Sequence, residues 1–194
     1  MADQKKSVKQ RIIDAAWKLF YSKGYDDTTV DDIIELSGTS KGSFYYYFNG
    51  KDALLSTLSS ILDDQYRLLK AAMPKEMNSF DKLMHINAEV HDFMGENIEY
   101  GLLASLYSSQ LTTKNARHLL DQNRVYYKLV LSIIEEGQER GEITNDIIAS
   151  EICHYYGLCE RALVYDWCLN HGEYSLGDYS RTYMPIMMEH FKVK

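Results

Sequence analysis

The chain has 194 residues, of which 45% are hydrophobic and 25% are charged, and its net charge is −7. These ordinary proportions argue against a disordered chain, and no stretch approaches the roughly 18 consecutive apolar residues of a membrane-spanning helix. The first residues, MADQKKSVKQR, are charged and no apolar run follows them. We therefore expect no signal peptide, no membrane association and a cytoplasmic location.

The negative charge is distributed unevenly along the chain. Residues 1–55 contain eight Lys or Arg and eight Asp or Glu, so the remainder of the chain carries the whole charge of −7. Repulsion of an anionic polymer such as DNA should therefore come from the C-terminal part alone.

Apolar residues recur at helical spacing along almost the whole chain, which predicts an all-α fold. The first helix should span about residues 7–24. Thr28 or Thr29 should cap a short second helix. Gly38 permits a tight turn before a third short helix at about residues 40–48. Two short helices joined by a turn that contains glycine are typical of a helix-turn-helix.

The rest of the chain predicts a larger helical domain. A fourth helix should span about residues 51–73 and end at Pro74. Further helices are predicted at about residues 79–97, 99–110, 118–140, 145–171 and 177–192. Pro185 should kink or interrupt the last of them. We predict a helix-turn-helix head at residues 1–52 and a second, larger helical domain at residues 53–194.

Five aromatic rings stand side by side from Phe44 to Phe48. At about 100° per residue, Phe44 and Phe48 share one face of a helix, whereas Tyr45, Tyr46 and Tyr47 spread over the other faces. We expect the two phenylalanines to pack into the core of the head and at least Tyr46 to be exposed. On composition alone, the alternative that all five rings are core or incidental surface stays open.

The neighbours of the aromatic run favour a surface that binds DNA. Lys41, Ser43 and Lys51 carry donors suited to phosphate oxygens, and tyrosine hydroxyls can make the same contacts. Gly42 has no side chain, so the backbone could approach a groove closely. A third helix with these exposed residues is suited to the major groove.

Residues 28–55, TTVDDIIELSGTSKGSFYYYFNGKDALL, resemble the signature of TetR-family transcriptional regulators. The similarity lies in the threonine that starts the second helix, the glycine turn, the Ser-Lys-Gly-Ser sequence that opens the third helix, and the aromatic run. It extends back to Ile12 and covers about a quarter of the chain.

The resemblance implies which residues contact DNA. Phosphates would be contacted by Thr29, Ser43, Tyr47 and Lys51. Base edges or thymine methyl groups would be contacted by Lys41, Gly42, Tyr45 and Tyr46. Asp31 departs from the pattern, because some relatives carry a basic, base-reading residue there. Asp31 instead suits a helix N-terminus electrostatically.

A second segment, IIEEGQERGEIT at residues 133–144, also resembles the family, in which the last two helices form a four-helix dimer interface. The resemblance therefore implies a homodimer that binds a palindromic operator in double-stranded DNA. Ala149, Gly157 and Ala162 are small enough for close approach between helices. The alternative is that this region is buried within the monomer.

The family usually holds a small-molecule effector between the head and the dimer interface. The resemblance therefore implies an effector cavity here, although each candidate lining residue can equally belong to an ordinary core. The set of aromatic and polar candidates comprises His85, Phe93, Tyr107, Tyr126 and Trp167, with Tyr66, Tyr100 and Tyr127 beside them.

The three cysteines are predicted to be buried free thiols. An odd number argues against a disulfide framework. On a helix Cys153 and Cys159 point about 240° apart, and Cys159 and Cys168 about 180° apart, so the three cannot converge on one metal ion. We expect neither a metal site nor a cofactor.

The predicted function is a ligand-responsive transcriptional repressor that binds its operator as a homodimer and is released by a small molecule. The electrically neutral head and Asp31 leave open a TetR-like ligand- or protein-binding module that has lost DNA binding. An enzyme is not expected, because GxSxG and HExxH are absent from the sequence and Gly50-Lys51 lacks the other residues of a phosphate-binding loop. The pair His85 and Glu89, one helical turn apart, is interpreted as incidental.

Overall fold

The computed structural model describes residues 6–112 and 117–193, and within them the chain forms nine α-helices and no strand, which confirms the all-α prediction. The helices are α1 Val8–Lys23, α2 Val30–Ser37, α3 Lys41–Tyr47, α4 Lys51–Ala72, α5 Ser79–Asn97, α6 Tyr100–Thr112, α7 Val125–Glu139, α8 Ala149–Leu169 and α9 Leu176–Met188. Two short 3₁₀ helices span His118–Leu120 and Glu189–Phe191. None of the helices described is both long enough and apolar enough to cross a bilayer.

Helices α1 to α3 form the predicted helix-turn-helix head. Thr29 caps α2, because its hydroxyl accepts a hydrogen bond from the Asp32 amide while the Asp32 carboxylate accepts one from the Thr29 amide. Thr28 is buried instead, and its hydroxyl donates to the Gly24 carbonyl over 2.6 Å. Gly38 has φ 61°, a left-handed conformation that lets the chain reverse between α2 and α3.

The head is joined to the rest of the molecule by α4. The Trp17 indole N–H on α1 donates to the Thr57 hydroxyl on α4 over 2.9 Å, and the Tyr21 hydroxyl donates to the Asn97 carbonyl at the end of α5 over 2.9 Å. A boundary between residues 52 and 53 would fall within the first turn of α4. A division of the chain at that position stays a prediction.

Two predicted helices differ from the structure. The helix predicted at 118–140 is a 3₁₀ turn followed by α7, because the Asp121 side chain accepts a hydrogen bond from the Asn123 amide over 2.9 Å and stabilises a local turn. Helix α9 continues through Pro185 to Met188, so the proline does not interrupt it. Only the last turn follows the proline, and the chain then tightens into 3₁₀ geometry.

The motif at residues 133–144 folds back on itself at Gly137. The amides of Glu142 and Ile143 both donate to the Gly137 carbonyl, over 2.8 and 3.0 Å. A β-carbon at Gly137 would lie 2.7 Å from Ile143 Cδ1 and 2.8 Å from the Cβ of Ser79 at the start of α5. Glycine is therefore required where α7, α5 and the returning turn meet.

The three cysteines are free thiols, as predicted. Cys153 and Cys159 are buried, whereas Cys168 is only half-buried. Burial raises the pKa of the Cys153 thiol to about 12, so this thiol stays protonated at neutral pH.

Candidate nucleic-acid interface and effector cavity

Helix α3 divides its aromatic residues between the core and the surface as the helical wheel predicts. Phe44 is fully buried and Phe48 is 6% exposed, and their ring centroids lie 6.0 Å apart. Tyr46 is 81% exposed, and Tyr45 and Tyr47 are 48% and 41% exposed. The three phenol groups therefore lie on the outer side of the helix, where they can reach a ligand as large as a duplex.

The first turn of α3 is open on its outer side. The Ser40 hydroxyl caps the helix by accepting a hydrogen bond from the Ser43 amide over 3.0 Å, and it lies 2.9 Å from the Ser43 hydroxyl. Lys41 and Gly42 are exposed. A β-carbon at Gly42 would meet only the Ser40 hydroxyl, at an ordinary contact distance of 3.9 Å. The fold of the isolated chain therefore does not require glycine at this position.

Lys41 is partly neutralised by an acidic neighbour on α2. Its ammonium lies 3.5 Å from the Asp31 carboxylate, and both side chains are largely exposed. The Asp31 that departs from the family pattern is thus placed beside the basic residue at the start of α3. Its negative charge lowers the local attraction for phosphate.

Lys51 uses its charge inside the protein. Its ammonium donates to the carbonyls of Tyr25, Asp26 and Thr28 over 2.7, 3.0 and 3.1 Å, and lies 4.3 Å from the centroid of the Tyr25 ring. A lysine ammonium has three hydrogens, and these three carbonyls occupy all of them. The geometry favours a structural role for Lys51, which holds the loop between α1 and α2, in place of the phosphate contact implied by the resemblance.

Arg11 is also committed to internal contacts. Its guanidinium donates to the Ser37 carbonyl over 3.2 Å, at the turn between α2 and α3. Two of the head's basic residues thus position the helix-turn-helix, and Lys41 is the basic residue that stands on α3 itself.

A cavity of about 850 Å³ lies between α6 and α8 and extends to the 3₁₀ turn before α7. This volume is within the range of pockets that bind small molecules. Its described lining is mostly apolar and comprises Ala104, Tyr107, Ser108, Gln110, Leu111, Arg117, Leu119, Leu120, Leu158, Arg161, Ala162, Tyr165, Cys168 and Leu169. Tyr107 is thus a candidate lining residue that the structure places in the wall.

Two smaller cavities adjoin this one, since both share Leu119 and Arg161 with it. Tyr126 lines both of them, Tyr66 lines the one of about 50 Å³, and Tyr127 lines the one of about 250 Å³. The tyrosine candidates on α4, α6 and α7 are therefore brought together.

Three other candidates lie outside these cavities, which corrects the predicted lining. His85 is partly exposed on α5, where its Nδ1 lies 3.8 Å from the Glu89 carboxylate. Phe93 also lies on α5 and lines none of the three cavities. The α5 residues that line the cavity of about 50 Å³ are His91 and Met94. Trp167 is buried in the core of α8, and its indole N–H is occupied by the Tyr174 carbonyl at 2.8 Å.

A buried carboxyl group on α8 was not predicted from the sequence. Glu160 on α8 is 7% exposed, and one of its oxygens accepts a hydrogen bond from the Asn87 amide group over 3.1 Å. Burial raises the pKa of Glu160 despite that hydrogen bond. The available signal was spacing, because Glu160 falls in the middle of the buried stripe of α8 formed by Cys153, Tyr156, Leu163 and Trp167.

Helices α8 and α9 also expose apolar side chains. Tyr155, Leu158, Tyr165 and Leu169 are exposed, and with Ala162 they recur at alternating intervals of three and four residues, the spacing of a helix-packing seam. On α9, Tyr183 and Ile186 are exposed. We call these seven residues the exposed stripe.

Gly157, predicted to permit close approach between helices, faces the other way. A β-carbon there would lie 3.0 Å from the Tyr126 hydroxyl within the same chain. Ala162 belongs to the exposed stripe, whereas Ala149 is half-buried. Of the three small residues, Ala162 is thus the one that stands in the seam.

Residues 12–58 match the family model described as bacterial regulatory proteins, tetR family. By this match, residues 12–58 form a TetR-family helix-turn-helix region. Two curated relatives from Pseudomonas putida match the head. The uncharacterised HTH-type transcriptional regulator TtgW is 41% identical over 61 residues, which are 31% of this chain and 43% of TtgW. The HTH-type transcriptional regulator TtgR is 34% identical over 74 residues, which are 38% of this chain and 35% of TtgR. The chain therefore spans less than half of the length of these relatives.

Similarity in fold extends over nearly the whole chain. The Thermus thermophilus FadR, described as a TetR-family transcriptional repressor in complex with lauroyl-CoA, superposes with a TM-score of 0.73 over 96% of both chains. The two sequences are only 20% identical, so this comparison establishes a common fold and nothing more.

Proposed function

We propose that this protein is a TetR-family repressor that binds a palindromic operator as a homodimer and is released by a small-molecule effector. The observation that carries the proposal is the arrangement of α3. This short helix buries Phe44 and Phe48 and presents its polar side chains outward, directly after the turn of a helix-turn-helix.

The proposed DNA contacts follow from which side chains are exposed. Helix α3 would enter the major groove with Lys41, Gly42, Tyr45 and Tyr46 near the bases. Hydroxyl groups at the edges of the head would bind phosphates. The proposed phosphate contacts are Thr29, Ser43 and Tyr47. Lys51 would support these contacts by holding the preceding loop.

The proposed dimer uses the exposed stripe. Its spacing on α8 suits packing against the same helix of a second copy, and the residues on α9 widen the apolar surface. A twofold symmetric dimer presents two copies of α3 to a palindromic site, in half-sites about 34 Å or a multiple of it apart. Two reading helices are needed because one short helix makes few contacts.

The proposed effector site is the cavity between α6 and α8. An effector releases DNA only if it binds better to a dimer whose heads do not fit two half-sites. Leu158, Ala162, Tyr165 and Leu169 of the exposed stripe also line this cavity. A ligand there would therefore adjoin the proposed dimer interface and can change how the two copies are set. The relatives named above are regulators, which supports a role outside catalysis.

The proposal is tested by selecting bound sequences from random double-stranded DNA with the purified full-length chain. We expect a palindromic sequence that binds far more tightly than scrambled DNA, with an affinity that falls as salt concentration rises. The selected site should be found upstream of genes in the source genome, including the protein's own gene.

The alternative is a TetR-like ligand- or protein-binding module that has lost DNA binding. The ion pair between Lys41 and Asp31, together with the internal use of Lys51, favours it. Failure to enrich any sequence at low ionic strength, by a sample that is folded and dimeric, would contradict the repressor and support this alternative.

A further inference from the structure

Arg161 is a charged side chain with no hydrogen-bond or ion-pair partner among the residues that the structure describes. It is half-buried on α8, and neither kind of contact joins its guanidinium to residues 6–112 or 117–193. By contrast, Arg124 nearby donates to Asp63 over 2.9 Å and to the Ser59 carbonyl over 3.1 Å. A partly buried guanidinium with five unused donors is suited to binding an anion.

The large cavity combines mostly apolar walls with two basic side chains. Its described lining contains Arg117 and Arg161 and no Asp or Glu, although the whole chain has a net charge of −7. The walls are otherwise formed chiefly by leucine, alanine and tyrosine side chains. Apolar walls take up a hydrocarbon chain, and the two arginines are complementary to a negative charge at its end.

Glu160 is the rival recognition group, because a buried carboxylate beside tyrosines could bind a cation. It lines the cavity of about 50 Å³ and not the large one, and its carboxyl group already accepts a hydrogen bond from Asn87. Arg161 lines both cavities, and its positive charge partly offsets the rise in the pKa of Glu160, but its guanidinium has no ion-pair partner among the residues that the structure describes. The sign of the charge therefore favours an anionic ligand.

We infer that the effector is a single-chain amphipathic anion whose hydrocarbon chain lies between α6 and α8 and whose anionic group is bound by Arg161. This inference rests on the proposed effector-binding function, and it adds the chemical class of the ligand and its anchoring residue. Arg117 is exposed and lines the same cavity, its Nε donates to the Gln110 carbonyl over 3.1 Å, and it adds positive charge to the cavity wall.

The test uses ligands that share one hydrocarbon chain and differ in head-group charge. Binding of dodecanoate, dodecanol and dodecyltrimethylammonium to the full-length protein is measured by calorimetry, below the concentrations at which they form micelles and without DNA. We expect dodecanoate to bind at least about 10-fold more tightly than dodecanol, since a charge-assisted hydrogen bond separates them. The ammonium compound should bind most weakly.

Lauroyl-CoA is added as a fourth ligand to distinguish two sources of the same chemistry. Tighter binding of lauroyl-CoA than of dodecanoate would identify an acyl thioester whose phosphates supply the negative charge. Tighter binding of dodecanoate would identify a free carboxylate. Either result supports the inference if the arginine is required.

The anchoring residue is tested with Arg161→Gln and with Arg67→Gln as its matched control. Arg67 lies exposed on α4, outside the lining of the large cavity, and pairs with Asp64. We expect Arg161→Gln to bind dodecanoate about 10–100-fold more weakly than the wild type does. The affinity of this variant for dodecanol should be unchanged. Arg67→Gln should leave all affinities unchanged. Thermal unfolding of both variants establishes that each is folded.

Equal binding of the anion and the cation, or an anion affinity that survives in folded Arg161→Gln, would overturn the inference. So would a dimeric protein that binds none of the four ligands, since the second copy would then fill the cavity. These outcomes are independent of DNA binding. A protein that selects an operator but does not bind the anion refutes the inference alone, whereas one that binds the anion but no DNA refutes the repressor alone.

Discussion

Phe44 and Tyr47 are three positions apart on α3, yet one is fully buried and the other is 41% exposed. Phe44→Ala should therefore lower the free energy of unfolding by about 3–5 kcal/mol, because it leaves a cavity in a small core. Tyr47→Ala should leave stability nearly unchanged and weaken DNA binding at every sequence. Chemical unfolding and gel-shift titration of the two variants measure these effects. The reverse pattern would show that the assignment of faces on α3 is wrong.

Lys51 and Lys41 provide a second comparison at the scale of single residues. Lys51→Met removes three hydrogen bonds and leaves carbonyl groups without a charged donor, so we expect the head to lose about 1–3 kcal/mol of stability. Lys41→Met, at an exposed side chain, should leave stability unchanged and reduce the dependence of DNA affinity on salt by about one counterion. Denaturant titration and salt-dependent gel shifts measure the two quantities. If Lys51→Met is as stable as the wild type, the structural role of Lys51 is wrong and the phosphate contact implied by the resemblance is favoured.

Glu160 should make the stability of the protein depend on pH. Its pKa is raised on folding, so between the unfolded value of 4.5 and the folded value the native state binds more protons than the unfolded state. Stability from this residue is therefore complete below pH 4.5 and is lost as the pH rises through that interval.

Glu160→Gln removes this titration while keeping the shape of the side chain. As the pH rises above about 4.5, the wild type should lose stability relative to Glu160→Gln, because only the wild-type side chain titrates. The loss should be at most about 1.4 kcal/mol per pH unit. Denaturant unfolding of both proteins between pH 4 and 8 measures it. The contribution of His91, whose pKa burial lowers to about 3, cancels because both proteins contain it. A difference that does not change with pH would contradict the prediction.

At the scale of helices and turns, Gly137 and Gly42 should respond differently to the same substitution. Gly137→Ala forces a β-carbon against Ile143 and Ser79 where α7, α5 and the returning turn meet, and should cost about 1–3 kcal/mol of stability. Gly42→Ala adds a β-carbon in open space on a helix and should stabilise the free protein by up to about 1 kcal/mol.

Thermal unfolding of both glycine variants tests this contrast. Gly42→Ala should at the same time weaken DNA binding, because the proposed complex needs the backbone of α3 close to the bases. If Gly137→Ala is as stable as wild type, the turn has more room than the structure shows.

Local sequence patterns predicted the helices in which the spacing of apolar residues determines which side chains are buried. The positions of Phe44, Phe48 and Tyr46 follow from rotation around one short helix, and the ends of α1 and α4 follow from Gly24 and Pro74. The turn at residues 121–124 was not predicted because it depends on the Asp121 carboxylate, which accepts hydrogen bonds from the backbone and side-chain amides of Asn123. Apolar spacing on both sides of it looks continuous.

The candidate site was predicted less well, because its members come together only in three dimensions. Nothing near Lys51 in the sequence indicates that the carbonyls of residues 25–28 surround its ammonium. Aromatic composition favoured Trp167 and Phe93 as lining residues, but the wall of the large cavity is formed by other residues of α6 and α8 and by the 3₁₀ turn before α7. Arg161 belongs to no sequence motif, and its proposed role rests on the absence of a hydrogen-bond partner within residues 6–112 and 117–193.

At the scale of the whole molecule, the exposed stripe is expected to hold two copies together. Leu158→Glu places a charge in the seam of α8 and should convert the dimer to a monomer, because burial of an unpaired carboxylate has a large free-energy cost. Operator affinity should fall by at least about 100-fold with it, since one head makes only half of the contacts. Leu68→Glu, at an exposed leucine of α4 outside the stripe, is the control.

Sedimentation velocity and gel-shift titration of the two leucine variants measure assembly and binding. A monomeric wild-type protein, or a Leu158→Glu variant that remains dimeric, would show that the stripe has another use.

The exposed stripe has a consequence for the response of a cell that makes this protein. If the stripe is the interface, the number of dimers able to bind an operator rises with the square of the number of chains at low abundance, and the melting temperature of the protein also rises with its concentration. The threshold at which a gene is silenced would then depend on how much protein the cell makes as well as on how much effector it contains. A modest fall in synthesis could relieve repression without any ligand.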